Sequence, residues 1–179
     1  IEEQYLALEN AQTEGFIKHY GVANESAWGV MKFVEQGRSS NNLPFLQEPF
    51  SILDRKIEIY LSEIVIREKL KLQVHSVLAG GLLSGKYNFS ELKLVSGQGR
   101  LTMFLKETRK LKREAIIKNY LKIEKFCRKN NLSMFDLAIF FPFSKGFISE
   151  VILGISSIEQ LKMILKVINN DSNLEIINE

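Results

Sequence analysis

The chain is poor in the residues that would announce chemistry on sight. It has one cysteine, Cys127, so no internal disulfide can form, and cytoplasmic residence is the expectation. Its two histidines, His19 and His75, stand far apart, and no grouping of His, Cys, Asp or Glu has metal-ligand spacing. No apolar run approaches the ~20 residues of a membrane span, and no signal-peptide pattern opens the sequence. Charge is nearly balanced: 24 Lys and Arg against 21 Asp and Glu, a formal +3. That permits an anionic ligand and does not point to nucleic acid. A content of 45% hydrophobic and 25% charged residues fits a soluble globular protein, and 179 residues suffice for a single domain.

What is present is a rhythm. The opening segment reads as a helix with Ile1, Tyr5, Leu8 and Ala11 at helical spacing and Gly15 as its stop. A chain that opens inside a helix looks like the back part of something longer. FIKHYGV reads as a strand, and NESAWGVMKFVEQ as a helix capped by Asn24 or Ser26, with Trp28, Met31 and Val34 inward. PFLQEP is a second strand. A helix over 54–70 turns Ile57, Tyr60, Leu61 and Ile64 inward, and LQVHSVL is the third strand. After a polar insertion, helical spacing returns over 110–129 through Ile116, Tyr120, Ile123 and Phe126. The charges of this segment fall outside that stripe, so a solvated face explains them better than a nucleic-acid helix. Ser133 with Asp136 opens the next helix, which ends near Pro142, and SEVILGI is the fourth strand. SSIEQLKMILKVI is the last helix, capped by Ser157, with a loose tail behind it. Alternation of this kind predicts parallel strands, either in an open doubly wound sheet or as four units of an eight-unit barrel.

The stretch AGGLLSGKY after the third strand meets the spacing G-x-x-x-x-G-K at Gly80, Gly85 and Lys86. A phosphate-binding P-loop also needs Ser or Thr after the lysine and a helix starting there. Tyr87 follows instead, and YNFSELKLVSGQG has no helical stripe, so the P-loop reading is rejected.

Four motifs stand in order: YGVANESAWGVMKF, LQEPFSILDR, HSVLAGGLLSGKY and ILGISSIEQL. Together they resemble the aldo-keto reductases, in particular a bacterial tyrosine-auxotrophy-suppressor-like branch. The resemblance implies an α/β fold of the TIM (β/α)8-barrel family, with this chain matching the last four βα units plus a lead helix. It implies NADP(H) as cofactor and a small-molecule carbonyl as substrate. Asn24 would bond the nicotinamide carboxamide with help from Gln47, and His75 would take the place of the tyrosine that stacks on the ring. Ser76, Leu78 and Gly80 would line the pyrophosphate path, with Arg100 reaching over it. Ser156 and Gln160 would meet the adenosine end. Three departures, Ala23 for serine, His75 for tyrosine and Ile164 for asparagine, imply a weakened or lost cofactor site. The family's catalytic Asp, Tyr, Lys and His belong to the first half of the barrel, so no catalytic residue is assigned here. The expectations are the cofactor-binding half of a reductase or, alternatively, a degenerate relative acting as a binding or regulatory subunit. A half barrel by itself, with its sheet edges open, would associate with itself.

Overall fold

The structure, a computed structural model, describes residues 1–38, 42–85 and 110–169. The chain divides into two compact units: Ile1–Pro49, Arg55–His75 and Gly146–Ile152 form the first, and Phe50–Asp54, Ser76–Lys145 and Leu153–Glu179 the second.

The first unit is built on a four-stranded sheet: β1 (Gly21–Ala23), β2 (Phe45–Pro49), β3 (Leu72–His75) and β4 (Glu150–Val151). All pairings are parallel and the spatial order is the chain order, β1-β2-β3-β4. Successive parallel strands laid side by side without an order reversal are what a barrel requires; a doubly wound sheet reverses at its switch point. Strand alternation divides the residues between two faces. Leu46, Glu48, Leu72 and Val74 lie on the buried face, while Gly21, Ala23, Phe45, Gln47, Gln73, His75 and Glu150 share the more accessible one. Gly21 is required by close approach, since a Cβ there would lie 2.5 Å from the Phe45 carbonyl oxygen.

Helix α1 (Glu2–Thr13) ends at Gly15, whose φ of 78° is the left-handed stop expected of it. Tyr5, Tyr20 and Phe33 join α1 to α2 (Ala27–Gly37) in one cluster with Leu8 and Val22. The hydroxyl of Tyr20 donates to Glu9 at 3.0 Å and to the Asn42 carbonyl at 3.2 Å. The first strand is shorter than FIKHYGV, and Phe16 is exposed. The buried stripe of α2 is Val30, Phe33, Val34 and Gly37; Trp28 is 67% exposed, not inward. The expected long helix is two short ones, α3 (Ile57–Tyr60) and α4 (Ser62–Arg67), joined at Leu61. The Ser62 hydroxyl donates to the Glu58 carbonyl at 2.7 Å, a local bond that competes with continuous helix. Ile57 and Leu61 are buried as expected, but Val65 joins them in place of Ile64, which is half-buried, and Tyr60 is exposed.

In the second unit a 3-10 turn (Ala79–Ser84) follows the position of the glycine motif. Then come α5 (Lys110–Lys129), α6 (Met134–Phe140), a 3-10 turn at Phe141–Ser144 beginning next to Pro142, and α7 (Ile158–Ile168). Ser133 caps α6 by accepting from the Asp136 N–H at 2.9 Å, and Ser157 caps α7 from Gln160 at 3.2 Å. Leu82, Leu83, Tyr120, Cys127, Met134 and Leu137 form its core, with Ile116 and Ile123 packed against it. Phe126, expected inward, is 43% exposed, and its neighbour Cys127 takes the buried position. Phe50 stacks on Phe141 with ring centroids 5.5 Å apart. The polar insertion with Lys86, Tyr87 and Arg100, and the tail, lie outside the described residues. No helix among the described residues is long and apolar enough to cross a membrane.

Candidate functional site

The first unit carries three of the expected residues on adjacent strands: Asn24 just past the end of β1, Gln47 in the middle of β2 and His75 at the end of β3. Asn24 follows β1 directly, with φ at 55°. Asparagine enters this left-handed region more readily than most residues, so the motif's asparagine suits the turn as well as a ligand. Its backbone N–H donates to the Gln47 carbonyl at 3.3 Å, which sets the two residues side by side. Ser26, not Asn24, caps α2, accepting from the Gly29 N–H at 3.0 Å. The side-chain amide of Asn24 therefore has no capping duty and no partner among the described residues.

The Gln47 amide nitrogen donates weakly to Gln73 at 3.4 Å, and Gln73 donates to the Glu150 carboxylate at 2.7 Å. This row crosses β2, β3 and β4 on the accessible face. It leaves the Gln47 side-chain carbonyl oxygen without a partner among the described residues. His75 is the last residue of β3, half-buried and in register with Pro49. Asn24, just past β1, and Gln47, on β2, thus keep side-chain donor and acceptor groups open to a polar ligand.

Behind β1 and β2, on the buried face, lies a residue that motif reading missed. Glu48 is 3% exposed, and its carboxylate accepts from the Glu25 N–H at 3.0 Å. Burial pushes its carboxyl above the ordinary range. The backbone N–H groups of Glu25 and Asn24 and the Tyr60 hydroxyl pull the other way without cancelling that. The signal was available: period two places residue 48 beside Leu46 on the core face, where a carboxylate needs donors.

In the second unit, Ser76, Ala79, Gly80 and Gly81 have φ of 60°, 49°, 68° and 96°. A Cβ built on Gly80 or Gly81 meets nothing within 4 Å, so it is the backbone twist, not crowding, that calls for glycine. The N–H groups of Ala79, Gly81 and Leu83 are already bonded to Ser76 and Leu78 carbonyls. Leu78 is half-buried against the second core, whereas Gly80 and Ser76 are exposed. Ser156 and Gln160 meet each other: the Gln160 side-chain oxygen accepts from the Ser156 N–H at 2.9 Å and from its hydroxyl at 3.0 Å. Glu159, exposed at the same helix start, is held below the ordinary carboxylate range by its own backbone N–H and the Ser157 hydroxyl. Ile164 is buried in the core side of α7 and offers no polar group, while Lys162 is exposed. Among the described residues no group of three metal-ligating side chains exists.

A hollow in the second unit, of about 600 Å³, is lined by Tyr120, Glu124, Cys127, Arg128, Ser133 and Met134 among others. The Cys127 thiol is buried and pushed up to about 11 chiefly by that burial, so it is no nucleophile at neutral pH.

A model of the aldo/keto reductase family matches residues 1–178. The chain is 29% identical over 177 residues to the protein tas of Escherichia coli, covering 97% of this chain and 49% of that protein. Over 85 residues it is 33% identical to the NADH-specific methylglyoxal reductase of the same organism, covering 48% of this chain and 25% of that one. The structure of the aldo-keto reductase AKR11C1 from Bacillus halodurans, in its holo form, superposes with a TM-score of 0.65 at 22% identity. That match takes in 94% of this chain and 50% of the other. The chain belongs to the aldo/keto reductase family, an oxidoreductase family that generally uses NAD(P)H, and has the fold of the (β/α)8-barrel class. It spans about half the length of the tas protein it matches.

Proposed function

We propose that this chain is the cofactor-binding half of an NADP(H)-dependent aldo-keto reductase, passing hydride to a small carbonyl compound when the barrel is complete. The observation that carries the reading is the adjacency of Asn24, just past β1, and Gln47, on β2, with the Asn24 side-chain amide and the Gln47 side-chain oxygen left without partners among the described residues. They would hold the carboxamide of the nicotinamide, with His75 as the ring platform. Ser76, Leu78 and Gly80 would line the phosphate path, Ser156 and Gln160 the adenosine end, and Arg100 would reach over the pyrophosphate. The bound cofactor would supply the hydride; the chain's own residues bind and orient, and none of those described is placed as the general acid. The same assignment makes a cytoplasmic protein with neither nucleic acid nor membrane as partner.

The second reading is a binding or regulatory subunit with a degenerate site. It is favoured by Ile164, buried where the family pattern has asparagine, and by the bonding of Gln160 to Ser156. Calorimetric titration of the chain with NADPH and, separately, NADH tests the proposal. Binding of NADPH at about 1 mM or tighter, and more tightly than NADH, supports it; no heat with either at that concentration refutes it. Submicromolar affinity would refute the weakening inferred from Ala23, His75 and Ile164.

A further inference from the structure

Glu48 is the one charged side chain among the described residues that is almost wholly buried. Burying a carboxylate is unfavourable unless donors surround it, and its neighbours on the same sheet face, Leu46, Leu72 and Val74, are hydrocarbon. Packing gives no reason for a charge here. The donors do. The Glu25 N–H donates to the carboxylate at 3.0 Å, and the Asn24 N–H and the Tyr60 hydroxyl face it closely enough to favour its ionised form. The same Asn24 N–H reaches the Gln47 carbonyl at 3.3 Å, and Asn24 holds a left-handed φ of 55°. The turn leaving β1 is thus gripped by consecutive residues of β2, by main chain at Gln47 and by side chain at Glu48.

We propose that Glu48 is the positioning residue for Asn24: its carboxylate gathers the backbone N–H groups of Asn24 and Glu25 and fixes the turn that sets Asn24 beside Gln47. A carboxylate suits the task because it is acceptor-only, and both of its oxygens can serve converging N–H and O–H groups. Tyr60, on α3, anchors the carboxylate in turn and would act at one further remove. The part of this inference that concerns ligand binding rests on the proposed function; the part that concerns the turn does not.

The test compares the chain with its Glu48→Ala, Glu48→Gln, Asn24→Gly and Glu48→Ala/Asn24→Gly variants, reading amide hydrogen exchange and NADPH affinity. In Glu48→Ala, exchange at Asn24 and Glu25 should rise about tenfold or more while β2 and β3 amides hold, the loss of a charged hydrogen bond. Glu48→Gln, which keeps one acceptor oxygen, should restore part of the protection. NADPH affinity should fall in Glu48→Ala but fall no further when Asn24→Gly is already present, since one residue acts through the other. Unchanged exchange at Asn24 and Glu25, or additive losses in affinity, overturns the proposal. Should Glu48→Ala not fold, Glu48→Gln and Tyr60→Phe decide it by the same selective rise in exchange, and its absence in both overturns it. If the unsubstituted chain binds neither NADPH nor NADH, the proposed function fails, and the exchange data alone still decide the role of Glu48.

Discussion

Asn24 is asked to do two things, and two substitutions separate them. Its φ of 55° is left-handed, a conformation that costs an ordinary L-residue ~1–2 kcal/mol and asparagine somewhat less. Asn24→Ala should therefore lower folding stability by about 1 kcal/mol, whereas Asn24→Gly, for which the region is free of strain, should stay within about 0.5 kcal/mol. Both variants lose the side-chain amide, which makes no bond to any described residue. Each should lose a neutral hydrogen bond to the ligand, about 0.5–1.5 kcal/mol, or roughly a two- to twelvefold weaker Kd for NADPH. Urea denaturation gives the first quantity and calorimetric titration the second. Unaltered NADPH affinity in Asn24→Gly refutes the ligand role of Asn24. Equal stability of the two variants refutes the strain argument.

Glu48 ionises later in the folded chain than in the unfolded one, because burial outweighs the bonds from Glu25, Asn24 and Tyr60. Its contribution to folding stability should therefore fall as pH rises from the ordinary value of 4.5, levelling once the folded-state value is passed. The difference between the natural chain and Glu48→Gln in urea midpoints across pH reports it, and a difference that grows in the opposite sense contradicts the burial argument. Leu83 is fully buried in the second core, so Leu83→Ala should cost about 2–5 kcal/mol in denaturant unfolding. Gly21→Ala puts a methyl group against the Phe45 carbonyl and should cost about 1–3 kcal/mol in the same assay. Cys127, raised to about 11, should react with iodoacetamide at pH 8 far more slowly in the folded chain than in urea.

The fold was largely legible because its signals are local. The caps at Ser133 and Ser157 and the stop at Gly15 lie within four residues of what they control, and each forms as read. Errors came where a neighbour far along the chain decides. The hydrophobic face of α2 is wide enough to be centred on Trp28 or on Val30 and Phe33. Packing against Tyr5 and Tyr20 chooses Phe33, leaving Trp28 exposed with the Lys32 ammonium 5.9 Å from its ring centre. The segment 16–22 has the composition of a strand, yet ladder bonding begins only at Gly21, where Phe45 supplies a partner. The ligand roles proposed for Asn24 and Gln47 come from their motifs, and the pairing of β1 with β2 sets the two residues side by side. Glu48 was not legible in this way, because its role depends on the backbone of a different strand and on a tyrosine from a helix, neither of which any local pattern encodes. The bonding of the Gln160 side-chain oxygen to the Ser156 N–H and hydroxyl at the start of α7 is likewise not written in the motif.

Everything proposed for this chain depends on a dinucleotide binding beside Asn24 and Gln47, past the end of β1 and on β2. Titrating isotope-labelled chain with NADPH and following backbone and side-chain amide resonances tests it most directly. Saturable shifts are expected at Asn24, Gln47, His75, Ser76 and Gly80. No shifts at saturating NADPH, or shifts confined to the hollow lined by Tyr120, Cys127 and Met134, would contradict it.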